Sequence, residues 1–143
     1  MKDTAMPIID MDWAAFDPWR IQPFKHTLTD HPLLQTDQLV ELGKRCRGTK
    51  RWYAFSSNVT AGTDFDDAAT LFPTSKSAVD SLRDISAAKA WVLLRHIQAD
   101  PLYRELVDSV INPIKPQIER KDPGLYYRAG WIFSASPNTA TPF

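Results

Sequence analysis

The stretch Gly130-Trp131-Ile132-Phe133-Ser134-Ala135-Ser136-Pro137-Asn138-Thr139-Ala140-Thr141-Pro142-Phe143 decides how the chain is read. Trp131 to Ala135 is short, apolar and aromatic, the pattern of a buried strand. Ser136-Pro137-Asn138 is turn chemistry, because proline fixes φ and an asparagine side chain bonds its own backbone. Thr139 to Phe143 then reads as the start of a second strand. Chain ends are ordinarily polar and frayed, whereas this segment stops on an aromatic residue. The expectation is that the 143 residues are the front part of something longer.

Upstream, Asp122-Pro123-Gly124 is a turn, so Leu125 to Phe133 is expected to return as strand. Before it, Asp100-Pro101 combines a side-chain cap with proline at the first helical position. Leu102, Leu106 and Val110 then recur at i+4, as do Tyr103, Val107 and Ile111. Pro113 and Pro116 lack a donor and crowd the preceding turn. Ile114 and Ile118 nevertheless extend the stripe, so a kinked helix to about Arg120 is expected. Trp91 to Ile97 reads as a strand buried on both faces. Thr74 is placed to cap a helix over Ser75 to Lys89, with Ala78, Leu82 and Ile85 on one face.

Ala61 to Phe72, with Asp64, Asp66 and Asp67, reads as a solvated loop. It lacks the glycine and terminal glutamate of a calcium loop. Arg51 to Val59 is a strand. Thr36 or Asp37 would cap a helix to Cys46, with Leu39, Val40 and Gly43 inward and Gly48 ending it. Residues 1–32 read as an extended arm pinned by Trp13, Phe16, Trp19 and Phe24, with Asp17-Pro18 opening one helical turn. The order is arm, helix, strand, helix, strand, helix, strands, an α+β chain of one domain.

Composition narrows the function classes. Lysine plus arginine and aspartate plus glutamate both number 17. Zero net charge argues against a nucleic-acid backbone binder and against docking on anionic lipid. Cys46 is the only cysteine, so no internal disulfide forms and a reducing, cytoplasmic setting is expected. The first residues lack the apolar core of a secretory signal. No apolar run approaches ~20 residues, the length of a membrane span.

Three blocks carry a resemblance. Ser134 to Phe143 resembles the strand, turn and "T-P-x" step that leads into the H-x-D metal motif of cupin-like, Jumonji-C (JmjC) type oxygenases. Trp91-Val92-Leu93-Leu94 with Asp100-Pro101-Leu102-Tyr103 resembles the family's "W-v-x-L…D-P-x-Y" block. Phe24, His26, Leu28 and His31-Pro32-Leu33 resemble its N-terminal "F-x-H-x-L-x-x-H-P-L". The three cover most of the chain in the family's order, and the H-x-D would begin directly after Phe143. The resemblance implies an arm (1–32), then helices and strands (33–122), then the first strands (123–143) of a double-stranded β-helix. It implies Fe(II) and 2-oxoglutarate as cofactors of the complete protein, a dioxygenase acting on an unidentified substrate. Thr141 is the one residue it assigns, as a hydroxyl donor to the 2-oxoglutarate carboxylate. The chain by itself is expected to hold no iron tightly and to be inactive.

Other candidates have plainer readings. His26 and His31, beside Asp30, read as structural histidines bonding backbone groups, since an iron triad needs two histidines and a carboxylate converging with open positions. His96 reads as a core residue of an apolar strand. Cys46, at a helix C-terminus, gains no activation from the dipole. The alternative to an oxygenase is a non-catalytic cupin-like module, whose exposed apolar surface would serve self-association or partner binding.

Overall fold

The computed structural model describes residues 6–56, 60, 62–73 and 76–138. Its class is α+β. The chain divides into two compact units, Met1–Leu34 with Gln98–Ala129, and Gln35–Ile97 with Gly130–Phe143. Among the described residues no closed barrel forms, and no helix is long and apolar enough to cross a membrane.

In the first unit, β1 (Ile9–Asp10) and β2 (Lys25–His26) pair antiparallel. The sequence reading had no strand here, because two residues are too few to show an alternation. Asp17 does cap its Pro18-Trp19-Arg20 segment, its carboxylate accepting from Trp19 N (2.9 Å) and its carbonyl from Arg20 N (3.1 Å). The result is a turn and not a turn of helix. Trp13 and Phe16 meet edge to face at 5.4 Å, and Phe24 lies 6.4 Å from the His26 ring. Trp19 (86% exposed) and Phe24 (51%) are not buried, which corrects the expectation.

The long helix of that unit, α4 (Pro101–Lys121), follows the sequence logic closely. Asp100 accepts from Leu102 N at 3.1 Å and Pro101 opens the helix. Pro113 and Pro116 both lie inside it. Tyr103, Leu106 and Val107 are buried, and the Tyr103 hydroxyl donates to the Leu33 carbonyl at 2.7 Å. That bond ties the helix start to the 3₁₀ turn Pro32–Leu34.

The second unit is a three-stranded antiparallel sheet, β3 (Trp52–Ser56), β4 (Ala90–Arg95) and β5 (Trp131–Ala135), with β4 in the middle. Trp91 faces Phe55 on one side and Ala135 on the other, and Leu93 faces Tyr53 and Phe133. Helix α1 (Thr36–Cys46) buries Leu39, Val40, Leu42, Gly43 and Cys46. It meets α3 (Ala78–Arg83), which lies on β3 and β4. The approach is close at Gly43, where a Cβ would stand 3.1 Å from Leu82 Cδ1. Glycine is favoured there by proximity and not by φ, since a larger residue would have to push the Leu82 side chain aside.

Three boundaries and one burial differ from the sequence reading. Ala61 to Phe72 is not all loop, since Phe65–Leu71 is helical (α2). Asp64, Asp66 and Asp67 stand at or before its first turn, where acidic residues suit the dipole. The helix expected over 75–89 is only Ala78–Arg83, capped by Ser77, whose hydroxyl accepts from Asp80 N. The proposed cap Thr74 lies outside the described residues. The helix stops early because the chain must reverse into β4, which it does through Lys89 at φ 48°. Strand β5 starts at Trp131, not Leu125, and residues 125–128 are exposed coil. Finally, β5, read as a buried strand, is buried only in part: Trp131 (51%) and Phe133 (40%) are exposed and alternate with half-buried Ile132 and Ser134. Thr139 to Phe143, read as a further strand, lies outside the described residues.

Candidate functional site

The segment that carries the resemblance begins on β5, beside the buried central strand β4. Ala90, Trp91, Val92 and Leu94 are 0% exposed, because a run of apolar residues in a central strand is covered on both faces. Phe133 lies against Trp91, ring centroids 5.1 Å apart and tilted by 41°. At the far end of the same strand pair, the Arg95 guanidinium sits 5.0 Å from the centroid of the Trp131 ring. This is a cation–π contact at an open position, worth about 0.5–1 kcal/mol.

The turn after β5 is fixed by Ser136. Its hydroxyl accepts from Ala90 N at 3.2 Å and donates to the Ile85 carbonyl, and its own N–H donates to the Ala90 carbonyl at 3.0 Å. Ser136 is 6% exposed, so these bonds form away from water, where leaving one unmade is costly. Beyond it Pro137 and Asn138 turn, with Asn138 at φ 56°, a left-handed conformation that asparagine tolerates better than most residues. The structure therefore gives the approach to Thr141, but Thr141 itself lies outside the described residues.

The histidines do not meet. His26 Nδ1 accepts from Leu28 N and His31 Nδ1 from Leu33 N, both at 3.2 Å and both two residues on. These are local backbone bonds of the kind the sequence reading assigned to them. His96 is not in a strand; it follows β4 at φ 53° and is half-buried. The apolar run misplaced it, because periodicity does not mark where a chain leaves the ladder. Cys46 is buried in α1. Among the described residues no three histidine, cysteine, aspartate or glutamate side chains converge as a metal site.

Two residues of this region escaped the sequence reading. Ser136 was taken for ordinary turn chemistry, although its buried double role is what holds the turn. Arg95 is assigned no role from the sequence. The signal for it was its place one strand-length from Trp91, facing the start of the next strand. Compared with known proteins, the chain matches no family model, no curated protein and no solved structure.

Proposed function

We propose that the chain is the front part of an Fe(II)- and 2-oxoglutarate-dependent oxygenase of the cupin-like, JmjC type, working in a reducing cytoplasm. The observation that carries this reading is the ordered set of three blocks, Phe24 to Leu33, Trp91 to Tyr103 and Ser134 to Phe143. A strand ending in a firmly held turn at Ser136-Pro137-Asn138 is the local structure such a lead-in needs. In this reading β3, β4 and β5 belong to a double-stranded β-helix completed by following residues. The H-x-D ligands follow Phe143, and the Thr141 hydroxyl donates to the 2-oxoglutarate carboxylate. Iron held in a facial triad would leave positions open for co-substrate and oxygen, supplying hydroxylation chemistry.

The test is titration of Fe(II) and 2-oxoglutarate into a protein extended beyond Phe143 and into the 143-residue chain. Binding is expected in the first and not tightly in the second; stoichiometric iron in the short chain would overturn the ligand assignment. In the extended protein Thr141→Ala is expected to weaken 2-oxoglutarate binding about tenfold, the loss of one hydrogen bond to a charged group. Unchanged affinity would remove Thr141 from the site.

One observation favours a second reading, a non-catalytic cupin-like module that associates with itself or a partner. Trp131 and Phe133, two residues apart on β5, are exposed, and exposed aromatic surface commonly marks an interface. Absence of iron and 2-oxoglutarate binding in the extended protein, with concentration-dependent sedimentation, would select this reading.

A further inference from the structure

The apolar stripe of α4 that begins at Tyr103 and Val107 continues along the second half of the helix. Ile111, Ile114 and Ile118 recur on it at spacings of three and four, all half-buried. The chain leaving α4 folds back along this face through a held turn: Gly124 N donates to the Asp122 carboxylate and Leu125 N to the Asp122 carbonyl, both at 3.1 Å. Between helix and returning chain lies an open groove of about 500 Å³, lined on its outer side by the exposed residues Leu125, Tyr126 and Tyr127. That volume is the size of a small-molecule site, and apolar walls with a few placed polar groups are its usual make-up.

The charged side chains that line the groove are two carboxylates, Asp108 and Glu119, and one ammonium, Lys115. Lys115 answers Glu119 at 3.8 Å. Asp108 also lines the groove, and among the described residues it has no hydrogen bond or ion pair. The backbone adds an acceptor. Asn112, another lining residue, would receive its helical bond from the residue four further on, but that residue is Pro116, which has no N–H. An exposed carboxylate with no counter-ion among the described residues and a residue whose carbonyl lacks its helical donor thus line a groove walled by isoleucine and tyrosine. An anion would meet repulsion from Asp108, and a purely apolar molecule would leave both acceptors to water. We propose that this groove binds a small primary amine with an aryl or branched-alkyl body, its ammonium donating to Asp108 and the Asn112 carbonyl while the body lies on Ile111, Ile114 and Ile118.

The proposal does not depend on the oxygenase reading, since no residue of the three resemblance blocks lines the groove. The test uses the 143-residue chain and three probes of one shape: phenylbutylamine, phenylbutanol and phenylbutyrate, titrated at neutral pH with NMR detection of the tyrosine rings. The amine is expected to bind about fivefold tighter than the alcohol, the upper range for an ion pair open to solvent, and the carboxylate is expected to bind weakest. Asp108→Asn should bring the amine to the level of the alcohol. Ile118→Ala should weaken amine and alcohol by the same factor, which separates the apolar wall from the charge. Equal binding of all three probes, an amine preference that survives Asp108→Asn, or no saturable binding of any probe would each overturn the proposal.

Discussion

Strands β4 and β5 lie side by side in one sheet and are both written almost wholly in apolar letters, AWVLLR and WIFSA. Their fates differ. Every residue from Ala90 to Leu94 is at most 2% exposed, whereas β5 alternates, with Trp131 half open to solvent. Composition told that both are strands; what lies over each face decided how deeply each is buried. The middle strand has neighbours on both edges and α3 across it. The outer strand has one described neighbour, and its aromatic side chains cover Trp91 and Arg95 only in part.

The largest expected effect tests this contrast directly. Trp91→Ala empties a fully enclosed site and should cost about 3–5 kcal/mol in urea unfolding. Gly43→Val comes next. It tests whether the cover over β4 is as tight as the 3.1 Å approach to Leu82 indicates, and overpacking there should cost about 2 kcal/mol. A neutral result would mean that α1 and α3 can part without loss. Ser136→Ala addresses the joint between the two strands. It removes the acceptor for Ala90 N and should cost about 1–2 kcal/mol, with faster amide exchange at Ala90. The smallest effect is expected from Trp131→Ala, about 0.5–1 kcal/mol from the lost contact with Arg95. Equal losses for Trp91→Ala and Trp131→Ala would break the comparison.

Where local chemistry is self-sufficient, the sequence was legible. Asp100-Pro101 opens α4 as read, the α1 helix ends at Cys46 as read, and Asp122-Pro123-Gly124 turns as read, because a cap, a fixed φ and a short side chain act within a few residues. Legibility failed where a distant segment decides. Helix α2 was hidden by three aspartates that signal a loop when isolated and a helix start when something downstream is buried, as Ala68 is. The helix before β4 lost its last turns to the demand for a reversal at Lys89. The same holds for the candidate site. The turn chemistry at Ser136 was visible, but its bonds to Ala90 and Ile85 span 46 and 51 residues and leave no periodic trace. The groove on α4 was foreshadowed by Ile114 and Ile118, read as a stripe, without any sign of what would fold back over them.

Strand β4 is bracketed by two residues that share an unusual backbone, Lys89 at φ 48° and His96 at φ 53°. Neither is glycine, so each holds a conformation that costs a side-chain-bearing residue roughly 1–2 kcal/mol. Together they act as stops. A slip of β4 by one position would push one of them into the ladder, where φ must be negative, and would turn every side chain of the strand to the opposite face. The central strand is therefore threaded in only one frame, and the alignment of Trp91 with its neighbours is guarded at both ends by residues that never join the sheet.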